Sequence, residues 1–163
     1  MDNLSPEQRR WTMTQVNGRD TTPEIVVRSL LHRLGFRFRV QGRKLAGKPD
    51  IVLPKYRTVV FVHGCFWHRH PNCTRASTPV SDADYWTTKF KRTVAHDASH
   101  QAVLEAEGWR VLVVWECELR DLPALAMRLQ HCLSKFLAPT KRLTHEFLAS
   151  GPAIQPLSFA SAS

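Results

Sequence analysis

Within the eleven residues from His63 to Cys73 the chain places three histidines (His63, His68 and His70), two cysteines (Cys65 and Cys73) and two large aromatics (Phe66 and Trp67). A solvated loop has no reason to hold such a set. A packed core has no easy way to satisfy that many imidazoles. Metal binding and proton transfer at the end of a buried strand account for both facts. Cys65-x4-His70-x2-Cys73 offers three zinc-type ligands in nine residues, and Cys117, just past a second strand-like run, has the chemistry to close a tetrahedron. A closed site of three thiolates and one imidazole would staple a long loop rather than react. On spacing alone His68 competes with His70 for the imidazole position. Cys132 falls on the apolar face of the last helix and reads as a small hydrophobe.

The remaining groups suit chemistry on a phosphodiester. Asp50 follows Gly47-Lys48-Pro49 and begins a strand. A carboxylate there can hold a hard divalent cation such as Mg²⁺, which polarises a phosphodiester and supplies a bound water. Imidazole as a residue type exchanges protons near neutrality, so His63 and His68 are natural candidates for proton transfer. Asp97, on a long helix, has the means to orient one of them. Glu24 has the means to hold a metal-bound water. Singly, Asp50 also fits an ordinary turn and Glu24 an ordinary helix start. Together, on a basic chain, they point to a nuclease.

The elements that must carry these groups follow from periodicity. Thr22-Pro23-Glu24 opens a helix, with Thr22 as N-cap, and Ile25, Val26, Leu30, Leu31 and Leu34 give it an apolar face that Gly35 ends. Residues 36–40 alternate with period two and predict a half-exposed strand. Residues 51–53 predict a second strand, and Pro54 to Arg57 turn the chain into a third over 58–62. Asp50 is therefore expected at the mouth of a hairpin whose other arm leads to His63. Residues 74–81 read as loop, and 82–107 as a helix stopped by Gly108. Residues 109–115 are the most strand-like run and are expected at the centre of the sheet. A last helix within 119–136, restarted near Pro123, turns Leu125, Leu129, Cys132, Leu133 and Phe136 inward.

A length of 163 residues suits one domain with its own core. The 23 Lys and Arg against 14 Asp and Glu give a net charge of +9 and favour a polyanionic partner, most simply nucleic acid. Residues 1–20, with Arg9, Arg10, Trp11, Met13, Val16 and Arg19, read as a DNA-contacting arm or helix, and 137–163 as a weakly ordered tail. No run approaches a membrane span and the first residues are too polar for a signal peptide, so a cytoplasmic, nucleoid-associated protein is expected.

The blocks GRDTTPE, FRVQ followed by GKPDIV, FVHGCFWHRHPNC and GWRVLVVWEC, in that order, resemble the very-short-patch-repair (Vsr) mismatch endonucleases over roughly residues 8 to 135. The resemblance implies an α/β fold: a restriction-endonuclease-like core over 21–136, with a mixed central β-sheet flanked by helices and a structural zinc site. It implies Mg²⁺ as catalytic cofactor and nicking beside the T of a T·G mismatch, the lesion left when 5-methylcytosine deaminates. It further implies a monomer acting on double-stranded DNA, linked in function to a cytosine-5 DNA methyltransferase and to mismatch-repair proteins.

By position, Asp50 and the Val62 carbonyl resemble the Mg²⁺ ligands. His63 and Glu24 resemble residues acting through metal-bound water, and His68 with Asp97 the proton-handling pair. Cys65, His70, Cys73 and Cys117 resemble the zinc ligands, which favours His70 over His68. Phe66, Trp67 and Trp86 resemble aromatics that insert into DNA beside the mismatch. The chain departs from its relatives in three places. Arg69 and Pro71 interrupt what is often a run of histidines. Val62 lacks the hydroxyl some relatives have before the histidine. Phe61 and His63 stand where PD-(D/E)xK nucleases carry an acid and a lysine. Two other readings compete: a zinc-stapled module that binds distorted DNA without cutting, and a restriction-type nuclease acting on paired duplex.

Overall fold

The computed structural model describes residues 7–8, 19–80 and 82–134; most of the expected N-terminal arm, Phe136 and the tail 137–163 lie outside them. Helix α1 spans Thr22–Arg33, strand β1 Arg39–Val40, β2 Ile51–Leu53, β3 Thr58–His63, helix α2 Cys65–His68, α3 Ala83–Ala106, β4 Arg110–Trp115 and α4 Leu122–Ser134. Strands β1, β2 and β3 pair antiparallel, and β3 pairs parallel with β4, in the order β1-β2-β3-β4. The result is a mixed sheet with helices on both faces.

Period two along β3 assigns each residue to a face. Val60 and Val62 join Val27, Leu30 and Leu31 of α1 and Leu125, Leu129 and Leu133 of α4 in one core. Val59 and Phe61 join Val52 of β2 and Leu104 of α3 in a second. The alternation carries His63 to the α3 face, and Asp50, two residues before Val52, to the same face. Both chemical groups thus reach the cleft that α3 helps to line.

Three expectations need correction. Thr21, not Thr22, is the N-cap of α1, with extended backbone at φ −68° and ψ 155°. Proline is as well tolerated one position further in, because its missing N–H is still among those without an intrahelical partner, and Thr21 stands three residues before Glu24, the capping-box spacing. The strand expected over 36–40 pairs only at Arg39–Val40, although Phe36 is buried and Arg37 and Arg39 are exposed as the alternation requires. The run expected at the sheet centre, β4, lies at the end of the described sheet, and β3 is the inner strand. Of the residues of β4 only Val114 is fully buried, whereas β3 is buried at every position but Val62. Helix α4 covers the outer side of β4: the Arg128 guanidinium donates to the Val113 carbonyl at 3.2 Å and that of Arg110 to the Cys132 carbonyl at 3.0 Å.

Helix α3 ends at Gly108, whose φ of 79° suits glycine. Trp86, Phe90 and Leu104 are its buried residues, while Tyr85, Val94 and Val103 are exposed. No helix among the described residues is long and apolar enough to cross a membrane.

Candidate active site and metal centre

Asp50 stands one residue before β2, where the hairpin opens. Its Oδ2 accepts the Val62 N–H at 2.7 Å. A strand residue presents its N–H and C=O to the same side, so the Val62 carbonyl faces the side on which Asp50 lies. Burial pushes the Asp50 carboxyl up to about 6, and the nearby charge of Glu24 adds to the rise, against the Val62 hydrogen bond and Arg28. A carboxylate that pays this penalty at neutral pH is one a divalent cation would relieve. The fit to Mg²⁺ rests on that chemistry.

His63, 5% exposed, stacks on His68 with ring centroids 3.8 Å apart and planes 11° apart. Burial, then the neighbouring His68, pushes the His63 imidazole down to about 4, so it is neutral at physiological pH. His68 Nδ1–H donates to Asp97 Oδ2 at 2.6 Å. That bond orients the ring and leaves Nε2 free of Asp97. His63, His68 and Asp97 bring potential ligand atoms within 4.8 Å of one another. They are nevertheless a poor cage for one ion, because each imidazole lone pair lies in its ring plane and two nearly parallel planes do not converge. The arrangement suits proton transfer better. His68→Ala should accordingly cut nicking by at least about a hundredfold, the usual range for a positioned acid or base, with metal content unchanged; release of zinc would mean that His68 and His70 have been assigned the wrong way round.

Glu24 lines the same cleft but is largely committed to the start of α1. It is 4% exposed; Oε1 accepts the Thr21 hydroxyl at 2.9 Å, and Oε2 accepts the Asp20 N–H at 3.0 Å and Arg28 at 2.6 Å. It touches Asp50 through charge. The aromatics form one cluster under and beside α2. Phe66 packs edge-on against Trp67, Trp86 and Phe90, at 5.0, 5.6 and 5.2 Å. Trp67 lines the cleft, whereas Trp86 is only 4% exposed. The Lys89 ammonium lies over the rings of Trp67, Trp86 and Tyr85 at 5.1 to 5.8 Å.

On the other side of α2, the ligand atoms of Cys65, His70, Cys73 and Cys117 all lie within 4.8 Å of one another. Cys117 Sγ is 3.3 Å from His70 Nδ1, close to the edge of about 3.6 Å that a tetrahedron with zinc bond lengths would have. Turn hydrogen bonds from His70 N–H to the Cys65 carbonyl and from Cys73 N–H to the His70 carbonyl, with Arg69 and Asn72 in the left-handed region, fold the loop back on itself. The His70 ring stacks on Trp115 at 4.5 Å, and Arg75 pairs with Glu116 at 2.7 Å. The Arg75 N–H, then His70, pull the Cys73 thiol down to about 7, while burial pushes Cys65 up to about 12. The donor set suits a borderline-soft cation such as zinc, which would also relieve the buried Cys65. Cys132 is half-buried and stands apart from this cluster.

Arg69, the departure in the loop, has a use. Its guanidinium lies 4.5 Å over Phe90 and donates to the Ser77 carbonyl and the Thr78 hydroxyl, both at 3.1 Å. Sequence reasoning missed Lys48, Lys89, His100 and Gln101, which also line the cleft. The available signal was the helix repeat: Lys89 and His100 are eleven apart, three turns, and so share a face with each other.

A cation-ready carboxylate, a neutral imidazole beside an oriented one and a basic α/β chain are parts suited to metal-assisted chemistry on a phosphodiester. The family model described as "DNA mismatch endonuclease Vsr" matches residues 1–75. Type II nicking enzyme V.XorIIP of Xanthomonas oryzae pv. oryzae is 54% identical over 132 residues, covering 81% of this chain and 96% of that one. Type II nicking enzyme V.NmeAIP of Neisseria meningitidis is 42% identical, covering 74% of this chain and 85% of its own. DNA mismatch endonuclease Vsr of Escherichia coli is 43% identical, covering 69% and 71%. The chain belongs to the Vsr family.

Proposed function

We propose that this protein is a Mg²⁺-dependent mismatch endonuclease that nicks one strand of duplex DNA beside the T of a T·G pair, on a restriction-endonuclease-like core stapled by zinc. The observation that carries the reading is the half-buried Asp50 carboxylate at the hairpin mouth, facing the same cleft as the stacked His63 and His68. Asp50 and the Val62 carbonyl would hold Mg²⁺, which when bound supplies polarisation of the phosphodiester and an activated water. His63, neutral at working pH, and Glu24 would orient solvent in the cleft. His68, held by Asp97, would take a proton at Nε2 when that nitrogen is unprotonated and give one back when it is protonated. Cys65, His70, Cys73 and Cys117 would hold zinc. The lesions it meets would come from a cytosine-5 methyltransferase, and its nicks would feed mismatch-repair proteins.

Choice of the mismatch would fall to Phe66 and Trp67, with Trp86 supporting them from beneath. A T·G pair stacks more poorly than a paired step and is cheaper to open. Unstacking costs a few kcal/mol per step, and stacking on an aromatic returns about 1–3 kcal/mol per base, so mismatch weakness can decide the balance. The test of the function is nicking of T·G and T·A duplexes of one sequence, with and without Mg²⁺; equal cutting of both duplexes would overturn the mismatch reading. Trp67→Ala should keep zinc and fold but lose most of the T·G preference, by about tenfold or more if one stacked base is lost. An unchanged ratio in the folded variant would remove Trp67 from mismatch choice.

A further inference from the structure

The cleft is larger than the reaction needs. Its volume is about 700 Å³, and it follows α3 from Lys89 past Asp97 to His100 and Gln101, some 18 Å at about 1.5 Å per residue. Asp97 marks the reacting centre. Lys89, beside Trp67, lies on one side of it. On the other lie His100, Gln101 and the Gly47–Lys48 turn, to which the catalytic reading gives no task.

We propose that Lys48, His100 and Gln101 form a second anion subsite, which takes a phosphodiester next to the one that is cut. The inference rests on the endonuclease reading and deepens it. The turn is built for its position. Gly47 has a φ of 66°, and a Cβ there would come within 2.9 Å of the His100 Cβ, so only glycine lets the backbone settle on α3 at this point. The next residue, Lys48, is also left-handed at φ 51°, and its N–H closes the turn onto the Leu45 carbonyl at 3.1 Å. A left-handed lysine is an unfavourable choice that the tight seating on His100 enforces. The seating brings the Gly47–Lys48 backbone against His100, and Lys48, His100 and Gln101 all line the cleft.

Electrostatics gives the site its ligand. The middle of the cleft carries Glu24, Asp50 and Asp97; Arg28 offsets Glu24, which leaves Asp50 and Asp97 to repel a phosphate strand until a cation is bound. Cations beside that centre must hold the strand meanwhile. Lys89 is engaged with three aromatic rings, whereas Lys48 is exposed and makes no ion pair among the described residues. His100 is half-buried, its ring 6.0 Å from that of His96, and it makes no ion pair among the described residues either. A cation sharing the cleft wall with an imidazole and an amide suits a singly charged phosphodiester better than a base edge.

The test removes one phosphate charge at a time. Methylphosphonates are placed singly at the two phosphates on each side of the scissile one in a T·G duplex, and kcat/KM for nicking is measured. In wild type one neighbouring position should lose about tenfold, the size of one charge-assisted hydrogen bond. In Lys48→Ala, which alters an exposed side chain, that same position should become insensitive to within about twofold, while the other positions keep their losses. His100→Ala should follow Lys48→Ala, and His100→Gln, which retains a donor, should restore part of the wild-type sensitivity at that position. If Lys48→Ala shows the wild-type profile at every position, the subsite is wrong. If wild type nicks no T·G duplex, the endonuclease reading fails instead, and the same scan read by binding anisotropy decides the subsite on its own.

Discussion

Asp50→Ala should abolish nicking, by about a thousandfold or more, while binding mismatched DNA at least as tightly as wild type. The rate loss follows from removing a ligand of the ion that polarises the phosphodiester. The retained affinity follows from removing a negative charge from a cleft that must admit phosphate. The same residue governs stability in the opposite sense. Its carboxyl titrates at about 6 in the folded chain against 3.8 for the free group, because burial disfavours the charged form. A folded value above the unfolded one adds stability that is fully present below pH 3.8 and lost as pH rises through 6. In the metal-free protein at pH 8 the ionised Asp50 therefore opposes folding, by up to about 3 kcal/mol, reduced where water reaches the carboxylate.

Asp50→Asn, which can still accept the Val62 N–H, should thus raise the thermal midpoint of metal-free protein at pH 8 and change little at pH 4. Mg²⁺ should stabilise wild type at pH 8, bind about tenfold more weakly for each pH unit below 6 as it competes with a proton, and have no such effect on Asp50→Asn. Calorimetric scans at three pH values with and without Mg²⁺ read all of these. A variant that still nicks at a tenth of the wild-type rate, or a metal effect independent of pH, would place the cation elsewhere.

Much of this geometry is written in short-range pattern. Asp50 and His63 share a face because each lies two residues beyond a core residue of its strand, Val52 and Phe61, and the strand period does the rest. The metal-type ligands are legible for a similar reason: five and three residues apart, they need only a tight turn, which left-handed Arg69 and Asn72 supply. What was not legible depends on long-range packing. Asp97 is one acid among several on a 24-residue helix, and its pairing with His68 depends on how α3 lies across β3. The strength of β4 as a strand sequence says nothing about its place in the sheet, since a parallel neighbour reached through α3 can be added at either side. The commitment of Glu24 to Arg28, Asp20 and Thr21 hides behind an ordinary four-residue spacing. Trp86 shares its residue type with Trp67, and only the packing of Phe66 and Phe90 around it distinguishes the buried ring from the one in the cleft.

The purified protein should hold one tightly bound zinc, and Cys73→Ala should lose it together with cooperative folding around α2. Residues 69–80 contain no buried side chain, so the loop has almost no hydrophobic reason to keep its shape. Its anchors are the four-ligand cluster, the Arg75–Glu116 pair, which at more than a third exposure of both partners contributes little, and the Arg69 contacts. Structural zinc contributes apparent binding energies of about 10–16 kcal/mol in small peptides at neutral pH, comparable to the whole stability of a domain at about 5–15 kcal/mol. Loss of even part of that should lower the thermal midpoint by about 10 °C or more. Cys132→Ala, which alters a cysteine outside the cluster, should leave zinc content unchanged. Nicking should fall with zinc, because His68 sits between Cys65 and His70 and its alignment with Asp97 depends on the same loop. Elemental analysis with calorimetry on wild type, Cys73→Ala and Cys132→Ala decides the matter. A wild-type protein that is fully folded and free of zinc would refute the assignment, as would a Cys73→Ala protein that keeps a full equivalent of metal.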